Sequence, residues 1–252
     1  MILAPVPTAV ASSSPDGAAG STATAATLPR RRQRYALLLV NSLVLLFVQG
    51  VAPPSEAQRL VVTVLAATSL LLALRAAGVK RPVRELAAVL GVIVIALSVV
   101  SVVTGGIGEG VTRLMNAALV GLGPPVIALG IIRDLQVTRQ VRVEALAGVL
   151  SLYLLLGMLF AFLYGAIDKL GSAPFFAGGE TATVAHCVYF SFTTLTTVGY
   201  GDYVAQSDLG HTLSIFEALI GQIYLVTVVS LIVTNIRRPL QPDRTTTPEA
   251  TP

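Results

Sequence analysis

The sequence predicts an all-α membrane protein, and three observations carry that prediction. Six apolar segments each approach the roughly 20 residues that a helix needs to cross the hydrocarbon. Only 12% of the 252 residues are charged, against about 25% in an ordinary soluble domain, and the mean hydropathy is +0.79. Lys and Arg collect in alternate connections between the apolar segments, in step with six crossings.

Taken in order, residues 1–34 begin with Ala, Ser, Thr, Pro and Gly and end on Arg30-Arg31-Arg32-Gln33-Arg34, which reads as a disordered cytoplasmic arm. The arm lacks the basic start and continuous apolar core of a cleaved signal peptide, so it is expected to be retained. The six spans run over about Tyr35–Val51, Leu60–Ala77, Leu86–Thr104, Leu114–Ile132, Val143–Ile167 and Leu209–Ile236. The first two are short or end in a charge, and Arg75 can snorkel from the end of the second. The fourth contains Gly121-Leu122-Gly123-Pro124-Pro125 at mid-depth, which predicts a kink or a break. The first four spans form one bundle over 35–134. A short basic linker follows over 135–142, then a second unit over 143–238 and a Pro- and Thr-rich tail over 239–252.

Orientation follows from the cations. The arm, the second–third connection, the fourth–fifth connection and the tail hold fourteen Lys and Arg; the alternate connections hold only Arg59, Arg113 and Lys169. Positive charge stays inside, so both termini are expected in the cytoplasm of a multi-pass protein of the cell membrane. The +4 net charge is then a topology signal and not a nucleic-acid footprint, with some attraction to anionic membrane lipid as a secondary effect. The single cysteine, Cys187, excludes an intrachain disulfide framework. No CxxC, HExxH, P-loop or GxSxG pattern occurs, and two scattered histidines cannot build a metal site. Neither enzymatic chemistry nor an organic cofactor is expected.

Between the fifth and sixth spans lies a segment with a different character. Thr181–Leu195 is too short to span and too apolar for a solvated loop, so it reads as a re-entrant helix with Thr181 or Thr183 near its N-cap. The negative end of its dipole would point into the membrane, where it favours a cation. Thr196-Thr197-Val198-Gly199-Tyr200-Gly201-Asp202 follows. Lipid tolerates irregular backbone only where it is buried in protein or lines a water-filled path. Presenting successive carbonyls to one axis needs alternating backbone conformations that glycine adopts cheaply, and Gly199 and Gly201 supply them.

Thr-Val-Gly-Tyr-Gly in this setting resembles the filter of the tetrameric potassium-channel superfamily, in its six-transmembrane, single-pore-loop, prokaryotic-type form, over about Val143 to Arg238. The resemblance implies that the carbonyls of Thr197, Val198, Gly199 and Tyr200, with the Thr197 hydroxyl, coordinate permeant K⁺. It makes Thr193, Thr196, Tyr189, Gly201 and Asp202 filter support. The Tyr200 ring would point away from the ions, and Tyr189 would bond Asp202 where many relatives use a tryptophan. Thr193 stands where some relatives carry a glutamate. Gly221, 22 residues after Gly199, has the spacing of the hinge glycine of relatives, though close helix packing explains it equally. Gln222, Leu225 and Val229 follow on one face as candidate cavity residues.

Glu217 is a carboxylate deep in a span and therefore a functional candidate. It is expected to face protein and bond the pore helix near Thr193 or Thr194, either as a buried structural acid or as a proton sensor. His186 and His211 fall near the outer side, as external proton sensors or as ordinary solvated residues. Asp168, Glu180, Asp202 and Asp208 against Lys169 would give four copies roughly −12 formal charge at the outer mouth. One chain carries one filter loop and a filter needs four, so a homotetramer is expected. Between Arg113 and Arg133 there is no charge, which excludes the arginine repeat of a conventional voltage sensor. No soluble ligand domain is expected after Arg238. The expected function is passive K⁺-selective permeation; the rivals are a non-conducting regulatory subunit and a weakly selective cation channel.

Overall fold

The computed structural model describes residues 28–104, 108–138 and 143–235, with side chains over 34–104, 108–130, 146–228 and 230. The tail, most of the N-terminal arm, linker residues 139–142 and the Val229 side chain lie outside the described residues. Eight α-helices follow in order: α1 Leu28–Val51, α2 Glu56–Ala76, α3 Arg81–Thr104, α4 Glu109–Gly121, α5 Gly123–Thr138, α6 Val143–Leu170, α7 Val184–Leu195 and α8 Asp208–Asn235. Among the described residues there is no strand, only an isolated bridge between Phe176 and Ala205. The fold is therefore all-α, as composition predicts.

Six stretches are long and apolar enough to cross a membrane: Arg34–Val51, Glu56–Ala76, Arg81–Thr104, Glu109–Gly130, Leu146–Leu170 and Asp208–Val228. Local chemistry places their ends. The Ser55 hydroxyl accepts the Gln58 N–H at 3.1 Å to start α2, and Gly78 turns the chain left-handed at φ 66° after it. The fourth span is interrupted at Leu122, and Pro124 and Pro125 fall in the first turn of α5, where a missing N–H costs nothing. Two boundaries differ from expectation. Helix α1 begins at Leu28, inside the segment read as a disordered arm, and α5 runs to Thr138, inside the segment read as a linker. Both extensions are Arg-, Gln- and Leu-containing stretches in which a helix continues without a breaker.

The first four spans pack on the ion-path half of their own chain, with α4 and α1 against α6 and α1 also against α7. Small residues permit the approach. A Cβ on Gly157 would meet the Phe192 ring at 2.7 Å, and one on Gly165 would overlap the Arg113 guanidinium. A second core is aromatic: Tyr164, Phe175, Phe176 and Phe190 are buried together, ring centroids 4.9–5.8 Å apart. This core fixes α7 against α6.

Candidate functional site

Helix α7 has twelve residues and cannot span. Thr183 caps it, its hydroxyl accepting the His186 N–H at 3.2 Å; Thr181 lies outside the helix. The helix ends in a turn that hands its last carbonyls to the following segment. Thr196 N–H donates to Phe192 O at 3.1 Å and Thr197 N–H to Thr194 O at 2.9 Å. Thr193 O accepts both Val198 N–H, at 2.8 Å, and Gly199 N–H, at 3.1 Å. Thr193 and Thr196 hydroxyls close the same turn, donating to Phe190 O at 3.0 Å and Phe192 O at 2.6 Å. Leu195 O accepts the Tyr153 hydroxyl of α6 at 3.2 Å.

From here the backbone alternates. φ is positive at Thr197 (58°), Gly199 (52°) and Gly201 (82°), and at no other non-glycine among the described residues. Glycine takes that conformation freely; a β-branched residue there is an outlier costing about 1–2 kcal/mol. The sequence points to the two glycines but carries no sign of Thr197. Its hydroxyl is held from the other side, accepting the Gln222 Nε2–H of α8 at 2.9 Å. Gln222 thus braces the inner end of the segment in addition to facing the open side. Leu225 follows it, 38% exposed.

At the other end Asp202 Oδ2 accepts the Tyr189 hydroxyl at 2.8 Å and Oδ1 accepts the Tyr203 N–H at 3.1 Å. The hydrogen bond to the Asp202 carboxylate pushes the Tyr189 phenol up to about 12, so the proton stays on tyrosine through the neutral range. Tyr189 stacks parallel to Tyr200 at 6.2 Å and meets Tyr203 edge-on at 5.8 Å. His186 lies against Tyr203 at 4.7 Å with Nδ1 3.0 Å from Thr181 O, while His211 is exposed in the first turn of α8. Asp168 is not free at the mouth: it accepts the Phe175 N–H at 3.0 Å and lies 3.5 Å from the Lys169 ammonium.

Behind α7, Glu217 is fully buried. Its partners are not Thr193 or Thr194 but Ser191, Oγ 2.5 Å from Oε1, and Tyr164, whose hydroxyl donates to Oε2 at 2.6 Å. Thr193 and Thr194 lie on the turn side of α7, which is occupied by the Thr197–Gly199 amides; Ser191 faces α6 and α8. Ser191 Oγ is also 2.7 Å from Gly157 O. One serine proton cannot serve two acceptors fully. A carboxyl proton donated to Ser191 would free the serine's own proton for Gly157, leaving every group satisfied. Tyr224 of α8 donates to Val149 O and stacks on Tyr153 at 5.4 Å. A Cβ on Gly221 would overlap the Leu195 carbonyl oxygen, so this glycine is where α8 touches the end of α7. Ser191, Tyr164, Tyr153 and Tyr224 went unremarked in the sequence. Their one signal is a hydroxyl in an otherwise apolar helix.

Residues 148–238 match the family described as Ion channel. No curated protein matches the chain. The matched segment holds most of α6, all of α7, the alternating turn and α8, and thus every residue of the site just described. With six apolar helices of spanning length around it, the chain is a membrane protein carrying, at 148–238, an ion-channel domain of the potassium-channel superfamily.

Proposed function

We propose that four copies of this chain surround a central pore that passes K⁺ selectively and passively. The observation that carries this reading is the alternation of left-handed residues at 197, 199 and 201 directly after a capped, re-entrant helix. In an extended strand successive carbonyls point to opposite sides. A left-handed residue at every second position turns the intervening peptide planes so that neighbouring carbonyls share one side. The carbonyls of Thr197, Val198, Gly199 and Tyr200 would then replace the hydration shell of a K⁺ ion, with the Thr197 hydroxyl at the inner end. The strain at Thr197 belongs to a functional site held rigid by its surroundings, here by Gln222 and the Thr194 carbonyl.

Assembly as a tetramer is supported by what one chain leaves open. Val198 and Tyr200 are 52% and 72% exposed, and Ile215, Phe216, Ile223 and Val226 of α8 are each more than half exposed. Lipid can cover part of an apolar helix, but not a polar, carbonyl-rich turn. The distribution of Lys and Arg supports both termini in the cytoplasm and a place in the cell membrane. Conventional voltage gating lacks its charges: the fourth span has none between Arg113 and Arg133, and Arg113 is fixed by two partners.

The test is flux from K⁺-loaded liposomes into Na⁺ medium, for the wild type and for Gly199→Ala. A Cβ on Gly199 meets nothing within 4 Å in one chain, so the substitution acts on backbone conformation, by about 1–2 kcal/mol in each copy. Wild-type K⁺ flux that excludes Na⁺ and is lost in the variant is expected. Flux unchanged by the substitution would remove the filter from residues 197–201. Absence of wild-type flux at any pH, voltage or tension would favour a regulatory subunit.

A further inference from the structure

A cleft of about 290 Å³ opens between the first four spans and the ion-channel domain. Its walls come from the beginnings of α2, α4 and α7 and from the end of α6, all of which lie at one face of the membrane. The volume sits at the lower limit of the roughly 300–1,000 Å³ of ligand sites, the size of a small headgroup.

The wall chemistry has three parts. Arg59, Arg113 and Lys169, the only cations that the chain assigns to this side, all line it, against Glu56 and Glu109. Arg113 is committed: one guanidinium nitrogen is 2.6 Å from Glu109 and another donates to Ala182 O at 3.1 Å. Arg59 lies 3.2 Å from Glu56 and 3.5 Å from Glu109, and Lys169 lies 3.5 Å from Asp168. Both side chains remain about a third exposed, at 39% and 30%. The first turn of α7 adds partial positive charge. The second part is Asn116, 3% exposed. Its Nδ2 donates to Thr63 Oγ1 at 3.2 Å, while its Oδ1 has no partner although it lines the cleft. A buried carbonyl left without a donor costs about 1–3 kcal/mol, so its placement asks for a ligand donor. The third part is apolar, Val62 and Phe162.

An anion for Arg59 and Lys169, a hydroxyl for Asn116 and an apolar body for Val62 and Phe162 describe one class of molecule at the edge of a bilayer. We infer that the cleft binds an anionic glycerophospholipid whose headgroup carries free hydroxyls, its phosphate against Arg59 and Lys169 and a hydroxyl donating to Asn116 Oδ1. The bound lipid bridges α2 and α4 to the start of α7.

The test uses the delipidated full-length protein in detergent and reads binding by native mass spectrometry and thermal shift, so it does not depend on conduction. The probes are phosphatidylglycerol, phosphatidylcholine and soluble glycerol phosphate. Phosphatidylglycerol is expected to bind about tenfold more tightly than phosphatidylcholine, with Lys169→Gln and Asn116→Leu each removing most of that difference. Glycerol phosphate binding as tightly as the lipid, with the same sensitivity to both variants, supports the headgroup chemistry with a soluble source. Equal binding of the two lipids by the wild type overturns the inference. So does an affinity for phosphatidylglycerol that neither variant changes; Lys169, partly exposed, can be replaced without disturbing a core.

Discussion

Two side chains concentrate the unusual energetics of this molecule, and they act in opposite ways. Thr197 sits at φ 58°, a conformation that a β-branched residue takes only under constraint. Gln222 supplies part of that constraint through the hydroxyl. Gln222→Leu is expected to leave the fold intact but let the inner end of the turn relax, and single-channel records should show shorter openings with unchanged unitary current; open times equal to wild type would leave Gln222 without this role. Glu217 is the other case, a carboxyl group buried between Tyr164 and Ser191. Glu217→Ala strands two hydroxyls at roughly 1–3 kcal/mol each, and the assembly should melt several degrees lower. Glu217→Gln can donate to Ser191 and accept from Tyr164 as the protonated acid does, and should melt close to wild type. A glutamine variant as unstable as the alanine one contradicts the proton count at this site. The glycines of the turn and the isolated acid are legible in the sequence because their residue types are costly in their setting. The partners of Glu217 and the strain at Thr197 are not, since both arise only when α6, α7 and α8 come together.

At the scale of elements, the decisive contact is between the fourth span and the start of α7. Arg113 is the side chain that spans it, from Glu109 within α4 to the Ala182 carbonyl just ahead of the Thr183 cap. Arg113→Ala leaves that carbonyl unpaired and Glu109 with Arg59 alone, a cost of about 1–3 kcal/mol. Hydrogen exchange should accelerate over residues 181–187 and remain slow in the centre of α6; uniform acceleration, or none, would show that the arginine does not anchor α7. Arg113→Lys is not expected to restore protection, because one ammonium cannot reproduce two guanidinium contacts in fixed geometry. From the sequence Arg113 is a topology marker at the edge of a span without charges, which correctly argues against a voltage sensor and says nothing of what the arginine does. The interruption of the fourth span is legible, since Gly-Pro-Pro can neither continue a helix nor donate to it. The reach of α1 to Leu28 and α5 to Thr138 is not, because polar helix ends share the composition of loops.

The whole molecule is a four-span bundle seated on its own chain's ion-channel domain, with α8 and residues 197–201 left uncovered. Hydropathy and charge alternation make the six spans readable, and the Thr-Val-Gly-Tyr-Gly turn makes the path readable. Which half of the molecule the bundle leans on is a matter of side-chain fit between α4 and α6, such as Gly165 beneath Arg113, and no periodicity reports it. The uncovered surface is what four copies would share around K⁺. Selectivity is therefore the property to measure first, as the reversal potential of purified protein in a planar bilayer with K⁺ on one side and Na⁺ on the other. Each tenfold preference moves a monovalent reversal potential by about 59 mV. A K⁺-lined turn predicts a displacement toward the K⁺ equilibrium value of more than that amount, lost in Gly199→Ala. A reversal potential near zero, with current flowing, would mean that the pore does not distinguish the two ions.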